Sequence, residues 1–147
     1  MQNKRFKPKY DKLFVLIWIP TVALLIVTTI IGMAALVSAL IMVFTDAFTL
    51  YFLFTSIVGY VELREESVFV KFGFFMKRDI PYNKIRAIDT AHKFYADSML
   101  SLKNSLDHVN IRYNKFDIIS VSVKESDELI AELNARRERA TAAHKDL

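Results

Sequence analysis

The most constraining feature of this 147-residue chain is an apolar run, Leu13–Val58, that contains one charged residue, Asp46. At about 1.5 Å per residue, a single helix of that length is more than twice as long as a hydrocarbon core of about 30 Å requires. Two antiparallel spans, at about 12–31 and 36–56, fit the run better. The sequence therefore predicts a two-helix transmembrane hairpin within residues 13–57 and excludes a simple cytosolic protein.

The basic excess of the chain is confined to its N-terminus. Residues 1–12 hold five basic side chains and one acidic one, whereas residues 59–147 hold fifteen and fourteen. The net charge of +4 therefore does not indicate a nucleic-acid-binding face. By the positive-inside rule, a basic tail places the N-terminus in the cytoplasm, and a hairpin returns the chain to that side. We expect a multi-pass membrane protein with both termini cytoplasmic, whose topology signal is formed by Lys4, Arg5, Lys7, Lys9 and Lys12.

Asp46 is a candidate intramembrane polar site. A carboxylate near the centre of a span costs about 2.5–3.5 kcal/mol on insertion scales, so such a residue is a functional candidate by default. Three other interpretations stay open at this point. The side chain is protonated or pairs with Thr28 or Thr29 on the first span, or the boundaries of the spans are shifted.

The remainder of the chain reads as β structure followed by one helix. Alternating and β-branched residues predict strands at 58–64, 68–74, 85–90, 100–103, 109–113 and 117–123. Leu129, Ile130 and Leu133 then form an apolar stripe on a helix at about 126–141. The order predicts a membrane-anchored α+β chain. Residues 1–12 are a cytoplasmic tail, and residues 58–147 are a small barrel or bent antiparallel sheet in meander order, capped by the C-terminal helix.

Three short stretches support a family resemblance. They are Gly73 followed by Ile80-Pro81-Tyr82-Asn83-Lys84-Ile85, Leu100-Ser101-Leu102, and Val109-Asn110-Ile111. With the basic N-terminus and the two spans, the chain resembles small bacterial membrane proteins that carry a pleckstrin-homology-like (PH-like) domain of the YyaB-like type. The resemblance implies a PH-like barrel on a membrane hairpin in the bacterial plasma membrane, with no agreed catalytic role.

The resemblance does not extend to phosphoinositide recognition. Eukaryotic PH domains hold inositol phosphates with basic residues in and around the first hairpin loop. The loop assigned to that position here is Arg64-Glu65-Glu66-Ser67, whose two acids would repel a phosphate. We therefore expect no specific phosphoinositide binding.

One set of side chains is a candidate membrane or partner contact. Phe72 and Phe74 are predicted to be core, which turns the next two residues outward, and basic side chains follow along the third and fourth strands. The set comprises Phe75, Met76, Lys77, Arg78, Lys84 and Arg86. The alternative is an ordinary exposed face on which these cations alternate with Asp79 and Asp89.

The sequence offers no basis for catalysis. It has no cysteine, and its histidines are far apart without carboxylates at ligand spacing, so we expect neither a metal nor a cofactor. No phosphate-binding glycine loop and no nucleophile motif occurs. The chain is therefore not predicted to be an enzyme.

Two functional hypotheses follow. In the first, the chain is a non-catalytic interaction or assembly module at the cytoplasmic face of the membrane. Its partners are the lipid bilayer and another membrane protein or itself. A role in envelope stress or peptide immunity is a sub-hypothesis of this first one. In the second, it is an accessory or regulatory subunit of a membrane transport complex that acts through the hairpin and Asp46. An Asp46→Asn variant separates the two.

Overall fold

The structure, a computed structural model, describes residues 3–95, 98 and 101–145, apart from the side chains of residues 56 and 143–145. It confirms the predicted fold class, in which two apolar helices are followed by antiparallel sheets and a C-terminal helix. Leu100, which was assigned to a predicted strand and to the family resemblance, lies outside the described residues.

The two apolar helices form an antiparallel hairpin. Helix α1 covers Lys12–Gly32 and helix α2 covers Leu36–Val58, with a connection of three residues. Their outer ends are close, since the hydroxyl of Tyr10, just before α1, donates to the carbonyl of Ile57 at 3.1 Å. Both helices are long and apolar enough to cross a membrane, and neither is buried within the protein.

The first sheet contains a strand that precedes the hairpin. Its order is β1 (Lys4–Phe6), β2 (Tyr60–Leu63), β3 (Ser67–Phe72) and β4 (Met76–Pro81), all antiparallel. β1 pairs with β2 across the whole helical hairpin, with Phe6 opposite Val61. The predicted boundaries are corrected here, because residues 4–6 belong to the domain rather than to a free tail.

This pairing changes which loop is the first of the barrel. The connection between β1 and β2 is the helical hairpin itself, whereas Arg64, Glu65 and Glu66 join β2 to β3. The acidic loop therefore lies at the opposite end of the strands. Glu65 and Glu66 would repel a phosphate only at their own end of the barrel. They do not affect phosphate binding at the end where the helices attach.

The second sheet is not a meander. It contains β5 (Ile85–His92), β6 (Ser101–Leu102), β7 (Asp107–Tyr113) and β8 (Asp117–Val121), in the order β5-β7-β8-β6. The two-residue strand β6 pairs in parallel with β8, because the chain crosses over before it returns along β7. Between the two sheets, a single 3-10 turn over Tyr82–Lys84 connects β4 to β5.

Helix α3 (Ser126–Lys145) packs against both sheets and extends four residues beyond the predicted end at 141. Leu129 and Leu133 are fully buried, and they join the inward side chains of the strands in one core. Phe6 from β1 is part of that core, with 2% of its surface exposed. The domain is therefore completed by residues from both sides of the hairpin.

Candidate functional site

The barrel has two distinct ends, which we call proximal and distal. At the proximal end, the helices attach and the β3–β4 turn approaches α2. At the distal end lie the β2–β3 loop, the turn at residues 82–84 and the β7–β8 turn. The register places His92 opposite Asp107 and Ile85 opposite Tyr113, so β5 runs from the distal to the proximal end. Eight strand residues span about 26 Å.

The β3–β4 turn lies against the last turns of α2. Gly73 has a φ of +66°, a conformation that favours glycine. A Cβ built on it would lie 2.6 Å from Thr55 Cγ2 and 2.8 Å from Thr55 Cα, so only glycine permits this approach. The ring of Phe75 lies 6.2 Å from that of Tyr51, centroid to centroid. The turn is therefore beside the apolar surface of α2 and not beyond its end.

The turn presents an apolar tip, Phe74, Phe75 and Met76. Phe75 is 81% exposed, as predicted for a side chain that points outward. The prediction that Phe74 belongs to the core is wrong, because 56% of its surface is exposed. β3 ends at Phe72, and the left-handed backbone at Gly73 breaks the alternation on which that prediction relied.

The start of α1 is fastened to the segment that leads into β7. The carboxylate of Asp11 accepts hydrogen bonds from the Ser105 hydroxyl at 2.6 Å and from the Leu106 amide at 2.8 Å. The Ser105 hydrogen bond is the largest reason why the pKa of Asp11 lies below its usual value. A cavity of about 170 Å³ beside this contact is walled by Phe14 and Phe94. Both helices are thus tied directly to the domain.

Most of the predicted topology signal makes ion pairs with the domain. Arg5 pairs with Glu62 at 2.9 Å, and Lys9 pairs with Asp107 at 3.0 Å. Lys4 pairs with Glu128 on α3. The contact of Asp107 with His92, followed by that with Lys9, lowers the pKa of Asp107.

The other two cations of the signal, Lys7 and Lys12, are exposed and make no ion pair with a described residue. Three of the five basic side chains therefore bind the folded domain, and the N-terminus is not a free tail beside the two apolar helices.

The predicted contact set does not form one surface. Phe75, Met76 and Lys77 lie at the proximal end. Arg78 is one residue pair farther along β4, opposite Val70. Lys84 and Arg86 lie at the distal end, where the Lys84 carbonyl accepts from the Asn114 amide and the Arg86 guanidinium donates to the Lys115 carbonyl.

The distal end has its own exposed aromatic residue, which the sequence analysis missed. Phe116 in the β7–β8 turn is 82% exposed and lies beside a cleft lined partly by Arg86 and Lys115. No periodic signal marks it, because it belongs to a tight turn in which Asn114 has a φ of +48°.

Asp46 lies near the middle of α2, ten residues from its start. The hydroxyl of Thr29 on α1 donates to its Oδ2, which is one of the two pairings considered from the sequence. Oδ1 is buried and has no hydrogen-bond partner among the described residues. The Thr29 contact joins the two helices at this depth.

The described residues contain no group of three or more histidine, cysteine or acidic side chains placed to hold a metal ion. His92 contacts Asp107, and His108 is buried with its Nδ1 at 3.0 Å from the Leu106 carbonyl. The side chain of His144 lies outside the described residues.

The fold is a small barrel of two sheets, closed by a C-terminal helix. The family profile of the bacterial PH domain matches residues 59–137, and the chain belongs to this family. PH domains are generally non-catalytic interaction modules. No curated protein and no solved structure matches the chain. The matched region begins after α2, so β1 is a strand of the barrel outside it.

Proposed function

We propose that the chain crosses the membrane twice and holds its PH-like domain at the cytoplasmic face as a non-catalytic interaction or assembly module. The observation that carries this proposal is the pairing of β1 with β2. One strand precedes α1 and the other follows α2, so both outer ends of the hairpin meet in one folded domain. A chain built in this way cannot leave its two termini on opposite sides of a membrane.

Short connections between the hairpin and the domain also restrict the orientation of the domain. Gly59 is the one residue between α2 and β2, and Asp11 ties the start of α1 to the segment before β7. A linker of one residue leaves no freedom to swing. The proximal end therefore faces the bilayer, and the distal end, with Phe116 and Arg86, faces the cytoplasm.

In this orientation the apolar tip enters the bilayer. Tyr51, which faces the Phe75 ring, lies seven residues before the end of α2, about 10 Å along the helix axis. Phe74 and Phe75 expose apolar surface to water, and covering that surface with lipid is favourable. Insertion of Phe74 and Phe75 accounts for their exposure in the isolated chain.

Topology is tested with single cysteines, because the chain has none of its own. Cysteines at Ala35, between the helices, and at Thr141, on α3, are labelled in intact cells with a membrane-impermeant maleimide. We expect labelling at position 35 only, with labelling at position 141 after the cells are opened. Labelling of both positions in intact cells would contradict the cytoplasmic placement, and labelling of neither would contradict a span that reaches the outer surface.

Insertion of the tip is tested by tryptophan fluorescence. Trp18 is the only tryptophan, so Trp18→Phe leaves a silent background for Phe75→Trp. In vesicles of lipids brominated on the acyl chains, we expect a blue-shifted emission that is mostly quenched. Phe116→Trp is the matched control, with 82% exposure against 81% for Phe75, and its emission stays red-shifted and unquenched. Equal quenching at both positions, or at neither, would contradict the proposed docking.

The partner is expected on the distal end, which projects away from the bilayer. The candidates are another membrane protein and a second copy of this chain. Membership of the YyaB-like type and a role in peptide immunity or envelope stress are finer proposals, supported by the resemblance alone. The alternative role in a transport complex through Asp46 stays a prediction, for which Asp46→Asn is the discriminating variant.

A further inference from the structure

Two lysines face each other across the outer side of the first sheet. Lys71 on β3 is directly opposite Lys77 on β4, one pair before the pair Phe72–Met76 that closes the turn. Like charges directly opposite in an antiparallel sheet are destabilising. Neither lysine makes an ion pair with a described residue. The arrangement therefore lacks the negative charge that would relieve it.

The acids of the same sheet face are already engaged. Glu62 contacts Arg5 at 2.9 Å and Arg64 at 3.5 Å, and Asp79 contacts Arg64 at 3.1 Å. Tyr60, opposite Lys71, lies between two cations, with Arg5 Cζ at 4.1 Å and Lys71 Nζ at 5.8 Å from the ring centroid. Positive charge thus accumulates at the row of this face nearest the helices.

The position of the pair indicates the source of the missing anion. The pair is two residues back from the turn, a distance of about 7 Å along the strands. The headgroup region on each side of the hydrocarbon core is about 5–8 Å thick. With the tip in the hydrocarbon, the two ammonium groups lie at the level of the lipid phosphates.

We propose that Lys71 and Lys77 bind the phosphodiester of one anionic phospholipid. This inference rests on the proposed function, because it requires the proximal end to face the bilayer. Lysine ammonium groups bind phosphate as point charges, and two of them on adjacent strands bridge one phosphate without a dedicated pocket. The site is on the outer face of the β3–β4 hairpin. It is separate from the acidic β2–β3 loop at the other end of the barrel.

The test compares thermal unfolding of the full chain in two kinds of vesicle. One kind is pure phosphatidylcholine, and the other contains about one fifth phosphatidylglycerol. Because a ligand that binds only the folded state stabilises it, we expect the anionic lipid to raise the Tm of the wild-type chain by about 3–6 °C. The double variant Lys71→Gln/Lys77→Gln loses this rise. Its Tm in phosphatidylcholine is equal to or above that of the wild type, since the like charges are gone.

The matched control is Lys84→Gln/Lys115→Gln, which removes the same charge from two exposed lysines at the distal end. We expect this control to keep the full rise. An equal rise in both double variants would overturn the site and leave only a general attraction between a basic chain and anionic lipid. A rise produced by inorganic phosphate with phosphatidylcholine vesicles would overturn the lipid as the ligand. Quenching of a tryptophan at position 75 reports the docking separately, so failure of the site and failure of the proposed function are distinguishable.

Discussion

Replacing Phe6 by Ala is expected to lower the free energy of unfolding by about 3–5 kcal/mol. Phe6 is a core residue with 2% exposure, and it is contributed by a strand that precedes the helical hairpin. Total stabilities of domains are about 5–15 kcal/mol, so this loss is a large part of the whole. The measurement is denaturant unfolding of the full chain in micelles.

The control for this variant is Lys7→Ala, at the next position along the chain. Lys7 is exposed, and a surface substitution of this kind changes stability by about 0.5 kcal/mol or less. Phe6→Leu keeps most of the apolar volume and is expected to fall between the two. A Phe6→Ala variant as stable as Lys7→Ala would show that the N-terminus does not complete the sheet. The N-terminus would then be the free basic tail that its charge alone suggests.

The contrast between β1 and the helices shows what local sequence can and cannot predict. The apolar run predicts the hairpin because each helix is defined by residues that are neighbours in sequence. β1 has three residues and no alternation of its own, and its partner lies beyond the hairpin, from Val61 to Leu63. Pairing across such a separation leaves no signal in the local sequence. The five basic residues of this segment therefore predicted a cytoplasmic tail rather than a strand.

The candidate site was predictable to the extent that its residues are adjacent in the chain. Phe75, Met76 and Lys77 lie together because they belong to one turn. Lys84 and Arg86 were grouped with them from the sequence, but β4 carries the chain about 20 Å away before these residues occur.

Arg136 is a similar case. It lies on helix α3 and is 7% exposed, and its guanidinium donates to the Arg64 carbonyl at 2.7 Å. Its partner lies 72 positions away in the sequence, and only the assembled barrel brings the two together.

Replacing Gly73 by Val is expected to destabilise the chain and to separate the domain from α2. A β-branched residue at a φ of +66° costs roughly 1–2 kcal/mol. The new Cβ meets the side chain and the backbone of Thr55 at 2.6–2.8 Å, and overpacking of this kind costs about 1–3 kcal/mol. The sum predicts a loss of about 2–5 kcal/mol in the same unfolding measurement.

A second substitution separates the overlap with the Thr55 side chain from the other costs of Gly73→Val. Adding Thr55→Gly removes Cβ and Cγ2 at position 55. The overlap with the backbone of α2 and the strain at position 73 remain, so this second substitution restores only part of the stability lost by Gly73→Val. In the background with tryptophan at position 75, Gly73→Val should also weaken quenching by brominated lipids, since the turn no longer rests on α2.

A Gly73→Val variant with wild-type stability and full quenching would refute close packing of the turn on the helix. The depth of the tip would then depend on the bilayer alone. Loss of both quenching and stability would show that the packing of Gly73 on Thr55 fixes the orientation of the domain relative to the helical hairpin.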